Sequence, residues 1–391
     1  MEFGAANRIK KIPENFFAEL DKQVATIGAE NESVIDLSKG NPDIATPQHI
    51  ALSLKEAVDK RENQRYTPFK GKISFRKSIQ KFYQQQYGAS VDVDKEIAVF
   101  HGAVVGINAV PQVLLNPGDY VITTDPCYPE YDTAIELAGG KIYKLPLLQA
   151  NNYLPDYAQV PKEILARTKI ILLNYPNNPT GATASASFFD RSLSFAHANK
   201  LLVVNDFAYA SLGFYETPVS IMSRPGAKEN ALEIYTLSKT YSMAGWRIGF
   251  AVGNSSVVKS LNKYLAHGHS TVFGAVQDAA GTALESSQEC VEEIRKKYQS
   301  RRDALIDGLK KINLEVADTR GTFFVWVRIP ENYTSVSFAK LLLQGAHVAV
   351  APGNGFGKYG EGYIRFSVVC GLEKIQEVLQ RLRVLKVKEG F

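Results

Sequence analysis

The sequence predicts an α/β fold in which a large domain, a mostly parallel sheet sandwiched by helices, carries a smaller α+β domain built from both termini. Three observations predict it. Between residues 97 and 252, short apolar runs of strand length alternate with amphipathic stretches of helix length, which is the pattern of a covered parallel sheet. The polar residues that punctuate this region fall just after the apolar runs. Beyond residue 286 the rhythm gives way to long polar helices and separated strands, so a second layer begins there. A chain of 391 residues is long enough to bury more than one core.

Taken in order, residues 13–28 read as an amphipathic helix with Phe17, Leu20 and Val24 on one face. Val34–Leu37 is a short apolar run, stopped by the loop signal Ser38-Lys39-Gly40-Asn41-Pro42. Strands are expected at 97–100, 120–123, 141–145, 169–173, 201–204, 234–237 and 248–252. Helices are expected between several of them, at 104–115, 130–138 and 188–199. The second layer reads as a helix at 288–311, a strand at 323–327 and a helix at 337–344. Strands at 347–351 and 363–367 and a helix from Leu372 complete it. These boundaries place a large domain at 46–288 and a small one at 1–45 with 289–391.

Composition excludes several function classes. Hydrophobic residues at 45% and charged residues at 22% match an ordinary globular protein. A formal charge of +5 over this length is too dilute to argue for nucleic acid. Cys127, Cys290 and Cys370 are far apart and form no CxxC pair, so neither a metal site nor a disulfide framework is expected. There is no apolar signal segment at the N-terminus and no stretch able to span a membrane. The cytoplasm is the expected location.

The chemistry-bearing residues cluster at strand ends. Asp206 closes Leu-Leu-Val-Val-Asn-Asp, and Tyr209 follows three residues later. Asn178 lies directly after the strand at 169–173, Lys239 after the strand at 234–237, and Arg247 eight residues beyond Lys239. Gly102-Ala103-Val104 joins the strand at 97–100 to the next helix. In a parallel sheet these ends share one edge, where ligands bind.

Three blocks, in this order and spacing, carry a family resemblance: Asn174–Gly181 (NYPNNPTG), Asp206–Tyr209 (DFAY) and Ser238–Gly249 (SKTYSMAGWRIG). Across nearly its whole length the chain resembles the class I/II, fold-type I aminotransferases, which use pyridoxal 5′-phosphate (PLP). The resemblance implies that Lys239 holds the cofactor as a Schiff base and shuttles a proton. It implies that Asp206 pairs with the pyridine nitrogen, that Tyr209 and Asn178 bind the ring hydroxyl oxygen, and that Tyr128 stacks on the ring. It assigns the phosphate to the backbone of Ala103 and Val104, to Thr236, Ser238 and Arg247, and to Tyr66 of a neighbouring subunit. Ala103 and Val104 depart from the hydroxyl residues usual there, which leaves the amides as donors. Arg365 is expected to grip the substrate α-carboxylate, with Gly40 and Asn178 also touching substrate. A homodimer with shared active sites follows from the role of Tyr66.

The resemblance also bears on substrate. Dicarboxylate-specific members place an extra arginine on the partner chain, and residues 263–273 offer none; His267 and His269 are weak substitutes. The N-terminal segment shows Phe16 and Phe17, an apolar lid for an apolar side chain. The whole-chain pattern is most similar to methionine-salvage aminotransferases. An aspartate- or diaminopimelate-type aminotransferase, or a C–S β-lyase on the same scaffold, remains the alternative. The expected partners of the aminotransferase are an amino acid and a 2-oxo acid, with no metal, nucleic acid or membrane.

Overall fold

The computed structural model describes residues 1, 3–28 and 33–391. Its strands in chain order are β1 (Ile35–Asp36), β2 (Ile97–Phe100), β3 (Tyr120–Asp125), β4 (Lys141–Pro146), β5 (Thr168–Asn174), β6 (Leu202–Asp206), β7 (Ala231–Thr236), β8 (Gly249–Gly253), β9 (Glu315–Val316), β10 (Phe324–Arg328), β11 (Val348–Ala349), β12 (Ala351–Pro352) and β13 (Tyr363–Ser367). The rhythm between residues 97 and 253 forms one seven-stranded sheet of order β2-β8-β7-β6-β5-β3-β4. Its pairings are parallel except those of β8, which runs antiparallel between β2 and β7.

Successive side chains on a strand point to opposite faces, and the core follows that period. Val99, Ile171, Val203, Tyr235 and Phe250 pack on one side with helices Ile73–Tyr87, Ala186–Ala198 and Gly274–Glu285. Phe100, Ile170, Val204, Ile234 and Ala251 pack on the other with helices Ala103–Leu114, Glu130–Leu137 and Ser255–Gly268. Because both faces are covered, β6, β7 and β8 are buried at every position, mostly by apolar side chains.

A second sheet of order β12-β13-β10-β9 packs through Val325, Val327, Ile364 and Phe366 against helices Glu289–Lys311, Ser335–Ala346 and Leu372–Glu389. The N-terminal segment joins this layer, since β1 pairs in parallel with β11.

Two expected boundaries shift. The single strand expected at 347–351 is two short ones: β11 bonds β1, and β12 bonds β13. The segment serves two sheets, so it must turn at Val350. The strand expected at 234–237 starts earlier, at Ala231, and stops at Thr236, because the Thr236 hydroxyl caps the short helix Leu237–Thr240. Helices Gln48–Val58, Ile73–Tyr87, Ser255–Gly268 and Gly274–Glu285 lie outside the elements assigned from sequence.

One buried acid stands apart from the strand-end residues. Glu233 on β7 is fully buried and accepts hydrogen bonds from Tyr83 Oη (3.0 Å), Ser220 Oγ (2.6 Å), Ile221 N (2.9 Å) and Asn205 Nδ2 (3.3 Å). Burial pushes its pKa up to about 7 despite those four donors. A carboxyl group raised in the fold stabilises fully below its unfolded value, and that stability is lost as pH rises through the folded value. Glu233→Gln should therefore lose less stability than wild type between about pH 4.5 and 7, by on the order of 3 kcal/mol. Thermal melting across that range measures it; parallel curves for the two proteins would rule this out.

Candidate active site

The strand ends deliver their side chains to one cavity of about 360 Å³. Lys239 reaches it from the helix that Thr236 starts by accepting from Ser238 N at 3.2 Å. Its Nζ donates to Gly40 O at 2.7 Å. Burial lowers the Lys239 pKa to about 8, helped by the cations Arg247 and Arg365 and opposed by Asp206. The amine is thus easier to free of its proton than an ordinary lysine.

Asp206 ends β6 and is buried. Tyr131 Oη donates to its Oδ2 at 2.7 Å, and Ala208 N donates to Oδ1 at 3.2 Å. Burial raises its pKa to about 6, against the pull of those donors and of Lys239. A cation placed beside it favours the carboxylate. Asn174 Nδ2 holds the Asp206 backbone carbonyl at 2.7 Å, and Asn174 Oδ1 accepts from Asn178 N at 2.8 Å. The ends of β5 and β6 are therefore locked together.

Arg365 comes from the other sheet. It sits mid-strand on β13, paired with Trp326 on one side and Ala351 on the other, and is 1% exposed. Nη1 donates to Asn178 Oδ1 at 2.7 Å and Nη2 to Ser38 O at 2.7 Å. The guanidinium lies 3.8 Å from the ring centre of Phe324, 4.6 Å from Phe356 and 5.4 Å from Phe17. Burial lowers its pKa to about 9. Its buried Nε has no partner.

The start of helix Ala103–Leu114 opens on the cavity through Ala103 and Val104, and its first-turn amides have no intrahelical acceptor. The N-cap is Gly102 at φ 84°. A Cβ there would stand 2.3 Å from Arg247 Nη2, so glycine lets the guanidinium reach this helix end. Arg247 precedes β8, and only because β8 is antiparallel does it emerge on the same edge as Asp206 and Lys239. Thr236 Oγ1 and Ser238 Oγ lie 2.9 Å apart beside the cavity. Tyr128 also lines it, with its phenol pushed up to about 12 by burial, and Tyr209 stands edge-on to Phe323 and Phe324.

This donor set fits PLP: a buried amine, an anion facing it, amides with an arginine for phosphate, and an arginine whose buried Nε lacks an acceptor. Of the residues assigned to the site from sequence, Tyr66 and Phe16 do not line the cavity; Phe17 alone forms the lid, because Phe16 turns away to pack edge-on against Phe356. Tyr66 is 93% exposed, and neither His267 nor His269 reaches the cavity of its own chain. Sequence reasoning missed Tyr131, Asn174, Asp21, Lys39 and Phe324, which also line it. Tyr131 follows Tyr128 by three residues at a helix start, a spacing that places both on one face. Asn174 opens the NYPNNPTG block itself.

Comparison with known proteins agrees with this geometry. The aminotransferase class I and II family model matches residues 32–382. The L-glutamine–4-(methylsulfanyl)-2-oxobutanoate aminotransferase of Bacillus subtilis is 44% identical over 99% of this chain and 98% of its own length. An LL-diaminopimelate aminotransferase of Syntrophobacter fumaroxidans is 40% identical over 98% of this chain and 100% of its own. A substrate-bound BacF structure from Bacillus subtilis superposes with a TM-score of 0.95 at 36% identity, covering 98% of both chains. The cavity's donor set and these matches together make the chain a member of the class I and II aminotransferase family, whose cofactor is PLP.

Proposed function

We propose that this aminotransferase moves an amino group between a medium apolar amino acid of the methionine kind and a 2-oxo acid, with Lys239 as the catalytic base. The observation that carries the reading is the meeting of Lys239, Asp206 and Arg365, from two sheets, in one cavity. PLP supplies the electron sink that makes the amino acid's Cα–H acidic. Lys239 Nζ, with its lowered pKa, accepts and returns that proton. Asp206 presents a fixed carboxylate to the pyridine nitrogen, oriented by Tyr131 and Ala208. Asn178 Nδ2 and Tyr209 Oη are the donors for the ring hydroxyl oxygen, since Asn178 Oδ1 is already taken by Arg365.

The backbone amides of Ala103 and Val104, the hydroxyls of Thr236 and Ser238, and Arg247 hold the phosphate; Tyr128 covers the ring. Arg365 binds the α-carboxylate in a bidentate fork, and Gly40 flanks it. Phe17 and Phe324 then frame the side-chain space. Among the described lining residues, Arg247 and Arg365 are the arginines present, which leaves no third one for a second carboxylate. The name of the Bacillus relative supports a methylsulfanyl 2-oxo acid as the acceptor.

A homodimer with shared sites belongs to the same reading. Tyr66, Phe69 and Phe273 are all exposed large aromatics, and Tyr66 is free to enter the site of a second subunit. So do the division into residues 46–288 and residues 1–45 with 289–391, and a cytoplasmic location, which three free cysteines favour.

Lys239→Ala should abolish turnover and the visible absorbance of the holoenzyme; an unchanged spectrum with unchanged rate would show that another residue holds the cofactor. In a donor series with one common acceptor, methionine should exceed aspartate at least tenfold in kcat/KM, because a carboxylate here loses water to meet Lys39 only where Asp21 and Asp36 repel it. Aspartate as the best donor would refute the apolar reading. Mixing Tyr66→Phe with Lys239→Ala subunits should restore activity, since a heterodimer with shared sites regains one intact site. Absence of any recovery in isolated heterodimers would place Tyr66 in its own chain's site or outside it.

A further inference from the structure

The mouth of the cavity carries an ion pair that the reaction does not use. Lys39 Nζ lies 2.7 Å from Asp21 Oδ1 and 3.4 Å from Asp36 Oδ2. Both Lys39 and Asp21 line the cavity. Their side chains are 43% and 48% exposed, so water already reaches the pair and opening it costs little. The placement of Lys39 is fixed by its neighbours. Ser38 O accepts from Arg365 and Gly40 O from Lys239, so the Lys39 backbone is tied on one side to the carboxylate-binding arginine and on the other to the base. Asp21 comes from helix Phe16–Gly28, the same helix that lays Phe17 over Arg365. Arg365, Phe17, Asp21 and Lys39 all line the one cavity, so an amino acid held by Arg365 has Phe17 and the Asp21–Lys39 pair within the space open to its side chain.

An aminotransferase must accept two different side chains in one cavity. We propose that the Asp21–Lys39 pair is the recognition element for a donor with a terminal carboxamide, of the glutamine class, while apolar substrates pack on Phe17 and leave the pair closed. A carboxamide offers one acceptor and one donor. Lys39 donates to its carbonyl oxygen and Asp21 accepts from its NH2, so both ions keep a partner when the amide enters. A carboxylate side chain would gain Lys39 but face Asp21 and Asp36, and an ammonium would gain Asp21 but face Lys39, which it cannot accept from. Asp36 stays on Lys39 through Oδ2 at 3.4 Å while Ser38 N at 2.9 Å and Ser38 Oγ at 2.5 Å hold its Oδ1, so it steadies the lysine while Asp21 meets the amide. The inference rests on Arg365 binding the α-carboxylate.

The test compares kcat/KM for glutamine, glutamate, lysine and methionine with one common 2-oxo acid acceptor. The proteins are wild type, Lys39→Met, Asp21→Leu, the charge-swapped double variant Asp21→Lys Lys39→Asp, and Arg365→Lys. Each single variant should lower the glutamine value at least tenfold, chiefly through KM, and leave methionine within about threefold. The swapped pair should regain part of the glutamine activity, since an amide can bind in either sense. Glutamine and methionine falling together would assign the pair to holding the helix in place and overturn the proposal. Glutamine unaffected would overturn it as well. So would a loss confined to glutamate in Lys39→Met or to lysine in Asp21→Leu, which would mean that the pair reads a charge. Arg365→Lys should depress all four donors alike; if it does not, the carboxylate assignment fails, and this inference with it.

Discussion

The site depends on keeping a fully buried guanidinium charged. Arg365 is an expensive group to remove from water, and three kinds of contact offset the cost. Asn178 takes Nη1 from the edge of the large sheet, Ser38 O takes Nη2 from the N-terminal segment, and the ring of Phe324 lies 3.8 Å beneath the guanidinium carbon. Each contact comes from a different part of the chain. The arginine thus holds together the β5 loop, the second sheet and the segment that follows β1. The same contacts fix Gly40, whose carbonyl receives Lys239. Disturbing Arg365 would therefore move both ends of the reaction site.

The large sheet supplies the complementary constraint. Its parallel strands end on one edge. Asn174 ties β5 to β6 through the Asp206 carbonyl, so Asp206 and Asn178 are positioned by a brace and not by loop conformation. The exception in the sheet is as important as the rule. β8 runs backwards, and this reversal turns a residue before a strand, Arg247, into a residue on the shared edge. Gly102 then admits its guanidinium to the helix start, where any Cβ would collide.

The electrostatics follow from the packing. Burial drives Lys239 down and Asp206 up, so both move toward neutral pH from opposite sides. Two groups with ordinary pKa values would form a fixed ion pair; here the environment weakens that preference and leaves the lysine able to exchange a proton. The mouth is different. Lys39 and Asp21 are half exposed, remain an ion pair, and can be re-partnered by an incoming side chain. The depth of the cavity therefore sets which charges serve chemistry and which serve recognition.

The sequence by itself determined the layered α/β class, the strand order in the chain and the identity of the residues that carry the chemistry, because those depend on local periodicity and on short blocks such as NYPNNPTG and SKTYSMAGWRIG. Lys239, Asp206, Asn178 and Arg365 were legible for that reason. Only the tertiary structure decided what each of them touches. Tyr131 reads locally as a core aromatic, and its hydroxyl on Asp206 links residues 75 positions apart. The division of 347–351 between β11 and β12, the reversal of β8, and the Lys39–Asp21 pair across two segments are equally non-local. Periodicity reports which face of an element is buried; it carries no information about which distant element covers that face, and the partners of a buried charge are chosen there.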